Sequence, residues 1–282
     1  MAVVTTTTAA NTLVSQWERE LHLVANEERV VTMNFRPATA EKIGDALYIR
    51  KISRIPATTV AVGSFDALTY VANTETRITV SPRAIHAAVQ LARNTINQCL
   101  NDSELRNGYR EQIIAGLNTE IDVDGANDAS NLTTNVLGGA GVNMSRSLLA
   151  DALQALHVSG RGQIKPNTPK YLCFHSTQLK HILAIPEITA ADIRGDSETP
   201  NRSGYVWTAY GMSLSDSGNV YQSAGTTYNF VHGRRSHVIA YNERITVLPP
   251  QDFDATVKII GYCEFGVGEV FDEEAALIQT AA

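Results

Sequence analysis

The sequence predicts an α+β fold, with strands early and late in the chain and helices between them. Residues 46–62 and 68–80 are rich in Ile, Val, Thr and Tyr, which favour strands. Apolar residues then recur at helical spacing over residues 81–122 and 146–157, and from residue 207 onward the chain again reads as strands with glycine at the turns. Strands at both ends and helices in the middle define the α+β class.

The composition is that of an ordinary globular protein. The chain has 282 residues, of which 44% are hydrophobic and 18% charged, so it is too aliphatic to be disordered and long enough to bury a core. The formal net charge is -6, whereas a protein built to coat nucleic acid would be basic. An inner surface that merely tolerates packed DNA remains compatible with this charge.

Cysteine usage and the N-terminus indicate a reducing compartment. Cys99, Cys173 and Cys263 are few and widely spaced, which argues against a disulfide framework. The first residues, MAVVTTTTAANTL, lack a basic region and a long apolar stretch, so we expect no signal peptide. No run approaches the roughly 18 apolar residues of a membrane span.

Residues 1–35 begin with a polar, Thr-rich tail. Its apolar residues Trp17, Leu21, Leu23 and Val24 could form one short amphipathic turn. Two interpretations stay open. The tail is either a flexible terminus or an arm that becomes ordered only against a neighbouring subunit.

The two early strands predict a long, charged hairpin. Its second strand alternates, with Ile78 and Val80 on one side and Arg77 on the other. The first strand carries Arg50, Lys51 and Arg54 among its apolar residues, together with Pro56, which suits an edge or a bend. This is either an ordinary edge hairpin whose charges block aggregation, or a hairpin that needs a second surface to lie on.

Two central helices follow the hairpin. Ser81 and Pro82 predict a helix start, and the apolar positions run from Ile85 to Leu100. A second helix begins after Ser103 and ends near Asp122, with apolar residues at intervals of four. We expect a polar, glycine-rich loop over residues 122–145.

The remaining elements are predicted from periodicity and capping. Residues 146–157 form a helix, 170–174 a strand, 177–183 a short helix capped by Ser176, and 186–206 a loop. The strands that follow are predicted at 207–214, 219–231, 237–248 and 253–271. The last alternates most regularly, with Phe253, Ala255, Val257, Ile259, Cys263 and Phe265 on one side.

The motifs of phosphate binding and nucleophilic catalysis are missing from the sequence. Neither GxxxxGK[ST] nor a strand–GxGxxG–helix unit occurs, and the one glycine cluster, residues 137–141, follows a polar loop. A nucleophile elbow would read GxSxG, but the nearest string, residues 211–215, ends in Ser. Cys173 lies in a predicted strand, which indicates a buried, inert thiol.

No set of residues has metal-ligand spacing either. Asp122, Asp124 and Asp128 lie close together, but Gly125 comes too early for a calcium loop, and we interpret the acids as a solvated helix terminus. The seven histidines form neither HxH nor HExxH. We therefore predict no catalytic, cofactor-binding or metal-ligating residues, and no enzyme.

The end of the chain resembles a known family. Residues 237–250 (HVIAYNERITVLPP) followed by 252–271 (DFDATVKIIGYCEFGVGEVF) resemble the end of the major capsid proteins of tailed bacteriophages, which have the HK97 fold. Upstream, residues 149–156 followed by 169–175 look like the helix–strand opening of that family's axial domain. The positions that match the family's terminal pattern are Gly261, Tyr262, Phe265 and Gly266.

The resemblance implies a division of the chain into four parts. They are an N-terminal arm at 1–35, an extended β-hairpin loop at 36–80, a peripheral domain at 81–145 and 236–282, and an axial domain at 146–235. The helix after Ser103 would be the long spine helix of the peripheral domain. The extended loop would lie on the neighbouring subunit.

The resemblance also implies a function and partners. The chain would self-assemble into hexamers and pentamers of an icosahedral shell that encloses the double-stranded DNA genome of a tailed phage. It would be assembled in the host bacterial cytoplasm and reside in the virion. The implied partners are a separate scaffolding protein, a portal protein at one vertex, an optional decoration protein and the packaged DNA, which is contacted non-specifically; no membrane is implied.

The expected inter-subunit contacts lie in the arm and the hairpin, because both are costly to order in isolation. They are Trp17, Arg50, Lys51, Arg54 and Arg77. Two alternatives stay open. An encapsulin-type nanocompartment shares the fold but encloses a cargo enzyme, and a soluble α+β hydrolase would need a triad that sequence spacing does not reveal.

Overall fold

The computed structural model describes residues 29–38, 41–43, 46–52, 55, 57, 75–93, 102–159, 168–189, 208–253 and 256–282. The strands of these residues, in chain order, are β1 (Arg36–Pro37), β2 (Glu41–Ile43), β3 (Ala46–Ile52), β4 (Glu75–Val80), β5 (Arg83–Ala92), β6 (Val136–Gly138), β7 (Lys170–His175), β8 (Thr208–Ala209), β9 (Met212–Ser217), β10 (Gln222–Ser223), β11 (Thr226–Gly233), β12 (His237–Val247), β13 (Gln251–Phe253), β14 (Thr256–Glu269) and β15 (Ala275–Ala281).

The helices in the same part of the chain are α1 (Asp102–Ala129), α2 (Arg146–Ser159), α3 (Leu179–Leu183) and α4 (Pro186–Thr189). Short 3-10 helices occur at Thr32–Asn34, Ser176–Gln178 and Asp272–Glu274. No helix among the described residues is long and apolar enough to cross a membrane.

The strands form three sheets. In the body sheet, β14 is central and pairs antiparallel with β12, β13 and β5, while β1 runs parallel to β12. The end sheet has the order β6-β15-β11-β7-β9-β8, with β10 also paired to β11. The hairpin sheet consists of β2, β3 and β4. The chain passes between the two larger sheets twice. It goes from the end sheet to the body sheet at the turn between β11 and β12, and back to the end sheet through the 3-10 helix between β14 and β15.

Two apolar cores lie on opposite faces of the end sheet. In β15, Leu277 packs with α1 and the body sheet, whereas its neighbour Ile278 packs with α2. The same alternation holds in β11, where Phe230 belongs to the first core and Val231 to the second. Because successive side chains of a strand point to opposite faces, one sheet serves both cores.

The predicted helix over residues 81–100 is wrong for the part that the structure describes. Residues 83–92 form β5, which pairs with β14 from Arg83 opposite Phe265 to Ala92 opposite Thr256. An interval of four residues, as between Ile85 and Val89, satisfies a strand period of two as well as a helical period. Tertiary pairing with β14 therefore decided the structure of a segment whose local pattern fits both.

The predicted loop over residues 122–145 is also wrong in its first part, because α1 continues to Ala129. Asp122, expected at a solvated terminus, is fully buried within the helix. Gly125 lies against the 3-10 turn near the start of the described chain, where an added Cβ would come within 2.3 Å of Thr32 Cγ2. A glycine that weakens the helix locally is thus retained for close packing.

Several predicted elements are confirmed. The helix expected at 146–157 is α2, and the strand expected at 170–174 is β7. In β14 the residues Val257, Ile259, Cys263 and Phe265 are all buried, as the alternation predicted. Ala255 lies outside the described residues. No element was predicted after residue 271, where the structure has β15.

Candidate functional site

The described part of the hairpin meets the body sheet through a small apolar cluster. Val80 of β4 and Ala240 of β12 are buried there, with Ala38 and Ile49 packed against them. The neighbouring Gly268 of β14 permits this approach, since a Cβ at that position would lie 2.6 Å from Val80 Cγ2. We call this contact region the hairpin base.

A phenylalanine ring holds two cations beside the hairpin base. Lys51 Nζ lies 4.6 Å from the ring centroid of Phe271, and the Arg235 guanidinium carbon lies 4.9 Å from it. Lys51 Nζ is also 3.7 Å from a carboxylate oxygen of Glu273. The face of an aromatic ring attracts cations, so Phe271 links β3 to the turn between β11 and β12.

The outer part of the hairpin stabilises its own charges. The Arg77 guanidinium carbon lies 3.2 Å from the ring centroid of Tyr48. Arg77 is directly opposite Arg50 in the β3–β4 register, where two like charges would repel. Stacking on Tyr48 gives Arg77 a partner within the subunit, while Arg50 is exposed.

A basic cleft of about 470 Å³ opens at the hairpin base. Its cationic residues come from three separate segments of the chain: Arg36 from β1, Arg50 and Lys51 from β3, and Arg235 from the β11–β12 turn. Its apolar wall includes Tyr48, Ile49, Ile52, Val238, Val270 and Phe271. A cleft of this composition fits a ligand or segment that presents carboxylates beside apolar groups.

Burial weakens the negative charge of two carboxyl groups, Glu269 of β14 and Asp128 of α1. Burial, with the nearby charges of Asp272 and Asp128, raises the pKa of Glu269 to about 7. Burial alone raises the pKa of Asp128 to about 6. Near neutral pH the Glu269 carboxyl is therefore partly protonated.

Asp122 anchors the first described residues, which we call the strap (residues 29–35), to α1. Its buried carboxylate accepts hydrogen bonds from the backbone N–H groups of Val30, Val31 and Thr32 and from the Thr32 hydroxyl, the last at 2.6 Å. Arg29 in turn donates to the Tyr241 hydroxyl. The carboxylate thus satisfies four donors, and this sets where the preceding chain leaves the body.

The strap ends in an aromatic and histidine cluster between the body and end sheets. Phe35 stacks on His237 of β12, with ring centroids 4.9 Å apart, and lies edge-on to His232 of β11 at 5.4 Å. Burial lowers the pKa of His232 to about 4 and that of His237, which also feels His232, to about 3. Both rings are neutral near pH 7 and act as packing surfaces.

The structure places the predicted acidic group in roles other than metal binding. Asp122 holds the strap, and Asp124 pairs with Arg83 of β5. Among the described residues no three potential ligands converge on a common point. Cys173 and Cys263 are buried and are not joined in a disulfide, and burial raises the pKa of the Cys263 thiol to about 11.

The five predicted contact residues have different positions. Trp17 and Arg54 lie outside the described residues. Lys51 and Arg77 have partners within the subunit, and Arg50 is exposed on the cleft wall. Sequence reasoning missed Arg36, Arg235 and Phe271. Arg36 directly precedes the hairpin, whereas Arg235 and Phe271 are distant from it in sequence and carry no motif that would link them to it.

Comparison with known proteins gives structural matches only. No sequence family and no curated protein matches the chain. The capsid structure of the cyanophage P-SCSP1u matches with a TM-score of 0.73 at 12% identity, covering 96% of this chain and 94% of that one. The capsid of Ralstonia phage GP4 matches with a TM-score of 0.73 at 13% identity, covering 95% of each chain.

A structure from Mycobacterium phage Che8 is similar as well. It has a TM-score of 0.70 at 15% identity and covers 94% of this chain and 96% of that chain. Matches of this extent, over nearly the whole of both chains, show that the protein has the α+β fold of phage capsid proteins.

Proposed function

We propose that the chain is the major capsid protein of a tailed phage and has a structural role, not an enzymatic one. The observation that carries the proposal is the agreement with phage capsid structures over at least 94% of this chain and of the three chains described above. In this role the chain self-assembles into hexamers and pentamers of an icosahedral shell around double-stranded DNA. It is assembled in the host bacterial cytoplasm and resides in the virion.

The HK97-like division of the chain belongs to this proposal. Residues 1–35 serve as the N-terminal arm, 36–80 as the extended loop, 81–145 with 236–282 as the peripheral domain, and 146–235 as the axial domain. The 28-residue helix α1 is the proposed spine helix. Two pairs of strands cross the boundaries of this division. In one, β1 of the extended loop pairs with β12 of the peripheral domain, and in the other, β15 of the peripheral domain pairs with β11 of the axial domain.

Charge distribution supports a hairpin that lies on a neighbouring subunit. Helix α1 contains seven acidic and two basic residues; Glu111 and Glu120 are exposed on it, whereas Asp122 is buried. The hairpin strands β3 and β4 carry Arg50, Lys51 and Arg77 against a single acid, Glu75. Opposite charges on two surfaces of one chain favour head-to-tail contact between copies.

Arg50 is exposed on the described hairpin and is retained as a proposed contact. Lys51 and Arg77 are committed to Phe271 and Tyr48 within the subunit. We retain Arg54 and Trp17 as proposed contacts on the sequence argument. A separate scaffolding protein, a portal protein at one vertex and an optional decoration protein complete the proposed partners, with non-specific contact to packaged DNA.

Assembly in solution tests the proposed function. The full chain is expressed alone and with a candidate scaffolding protein encoded beside it, and the products are examined by light scattering and negative-stain electron microscopy. Closed icosahedral particles are the expected result. A monodisperse monomer at high concentration under both conditions would refute the proposal, and particles filled with a cargo enzyme in place of DNA would favour the nanocompartment.

A further inference from the structure

The basic cleft lies on the face of the body sheet opposite the strap. Arg36, Ala38 and Val238 line the cleft. Their neighbours Pro37 and Ile239 instead line a separate cavity with Arg29 and Met33. Successive residues of a strand point to opposite faces, so the strap and the cleft are separated by the sheet.

The cleft is positive within a chain whose net charge is negative. Glu273 neutralises part of the charge of Lys51, and burial raises the pKa of Glu274, although the nearby Arg235 counters part of that rise. Among the described residues, Arg36 has no carboxylate partner. The cleft therefore retains an excess of positive charge for an acidic occupant.

The residues before Arg29 have the matching chemistry. Residues 17–28, WERELHLVANEE, contain four glutamates, at 18, 20, 27 and 28, against one arginine. They also contain Trp17, Leu21, Leu23 and Val24, which suit the aromatic and aliphatic wall of the cleft. A stretch with acidic and apolar side chains complements both the charge and the lining of the cleft.

We propose that the basic cleft receives residues 17–28 of a second copy of the chain. The strap fixes the exit of this segment on the far face of the sheet, which favours a cleft on another copy over the cleft of its own copy. The 12 residues from 17 to 28 could extend roughly 40 Å from Arg29, which is the span within which the cleft of the other copy must lie. This contact rests on the proposed function and adds the identity of the surface that the arm occupies.

Disulfide trapping in the full-length chain tests the contact. The chain carries Ala25→Cys in the segment and Ile52→Cys at the cleft, where Ile52 is 61% exposed, in a Cys99→Ser background. After assembly and mild oxidation we expect a ladder of linked multimers on a non-reducing gel. The matched control replaces Ile52→Cys with Val158→Cys, which is 68% exposed on α2, and should give no ladder.

Charge exchange tests the chemistry of recognition. Arg36→Glu with Arg235→Glu should lower the yield of linked multimers by about tenfold or more, because close charge pairs at an interface are worth at least about 1.4 kcal/mol. Replacing the four glutamates of residues 17–28 with lysine in the same chain should restore the yield. Lys180→Glu, exposed on α3 and outside both the cleft and α1, is the control and should leave the yield unchanged.

The outcomes separate this contact from the proposed function. Linked monomers, in which the disulfide forms within one chain, would overturn the assignment to a second copy. Closed particles without specific linkage would overturn the contact and leave the proposed function standing. Specific linkage without particles under any condition would support the contact and refute the shell, and neither linkage nor particles would refute both.

Discussion

Removal of the Asp122 carboxylate is expected to release the strap from α1. In Asp122→Ala, three backbone N–H groups and the Thr32 hydroxyl lose their acceptor in a region where Val31 and Thr32 are buried. Each buried donor left unsatisfied costs about 1–3 kcal/mol, and the Val30 N–H is partly open to water. We therefore expect strap opening to become easier by about 3–6 kcal/mol.

Limited proteolysis measures this change directly. Trypsin cleaves after Arg29 only when the strap opens, and the product is identified by mass as a chain that begins at Val30. When opening is fast relative to cleavage, the rate follows the open population, so a change of 3 kcal/mol should raise it roughly 100-fold. Asp122→Asn should fall between the native chain and Asp122→Ala, because one amide oxygen can still accept hydrogen bonds.

A matched control lies one half-turn along the same helix. Asp124 is partly exposed and pairs with Arg83, which is itself exposed, so Asp124→Asn should change stability by no more than about 0.5–1 kcal/mol. If Asp122→Ala accelerated cleavage after Arg29 no more than Asp124→Asn does, the carboxylate would not be what holds the strap, and the reasoning would be refuted.

Two further predictions concern packing and pH. Gly268→Ala would drive a methyl group into the hairpin base and should lower stability by about 1–3 kcal/mol in thermal denaturation. In the control Gly116→Ala nothing lies within 4 Å of the added atom, so the change should be neutral or stabilising by up to about 1 kcal/mol. Equal effects of the two substitutions on stability would contradict the packing argument. The lowered pKa values of His232 and His237 mean that only the unfolded chain takes up these protons between pH 6.5 and about 4. Stability should therefore fall as pH decreases through this window, by at most about 1.4 kcal/mol per pH unit for each histidine. The raised pKa values of Glu269 and Asp128 act in the opposite direction, up to about pH 7 and about pH 6, so chemical denaturation across pH is measured in the double variant Glu269→Gln, Asp128→Asn. A stability that did not change with pH in that variant would show that the histidines are not buried as described.

Local pattern predicted the elements whose periods are unambiguous. The alternation over Val257 to Phe265 could only be a strand with one buried face, and the leucines of residues 146–157 fit only a helix. The pattern over residues 83–92 was ambiguous, because apolar residues four apart suit the period of a helix and that of a strand. Gly125 and its neighbouring aspartates likewise indicated a loop, although contacts with the strap keep them helical.

The candidate site was predictable only in its local part. Charges on the hairpin followed from its own sequence, so Arg50 and Arg77 were identified as contact residues. Phe271 and Arg235 lie about 200 residues from Lys51 in the chain, and nothing in the spacing of these residues indicates that they meet. Long-range pairing of this kind is a property of the folded chain.

The sequence by itself determined the helix over residues 146–157, the buried face of the strand from Val257 to Phe265, the scarcity of chemical motifs and the concentration of acidic residues in 17–28 and in α1. These are properties of neighbours along the chain, where periodicity and composition act. Only the tertiary structure decided that Asp122 is a buried anchor, that β5 is a strand, and that three segments converge on one basic cleft. The physical reason is that burial and charge proximity depend on distances between atoms from distant parts of the chain, which local preference does not contain.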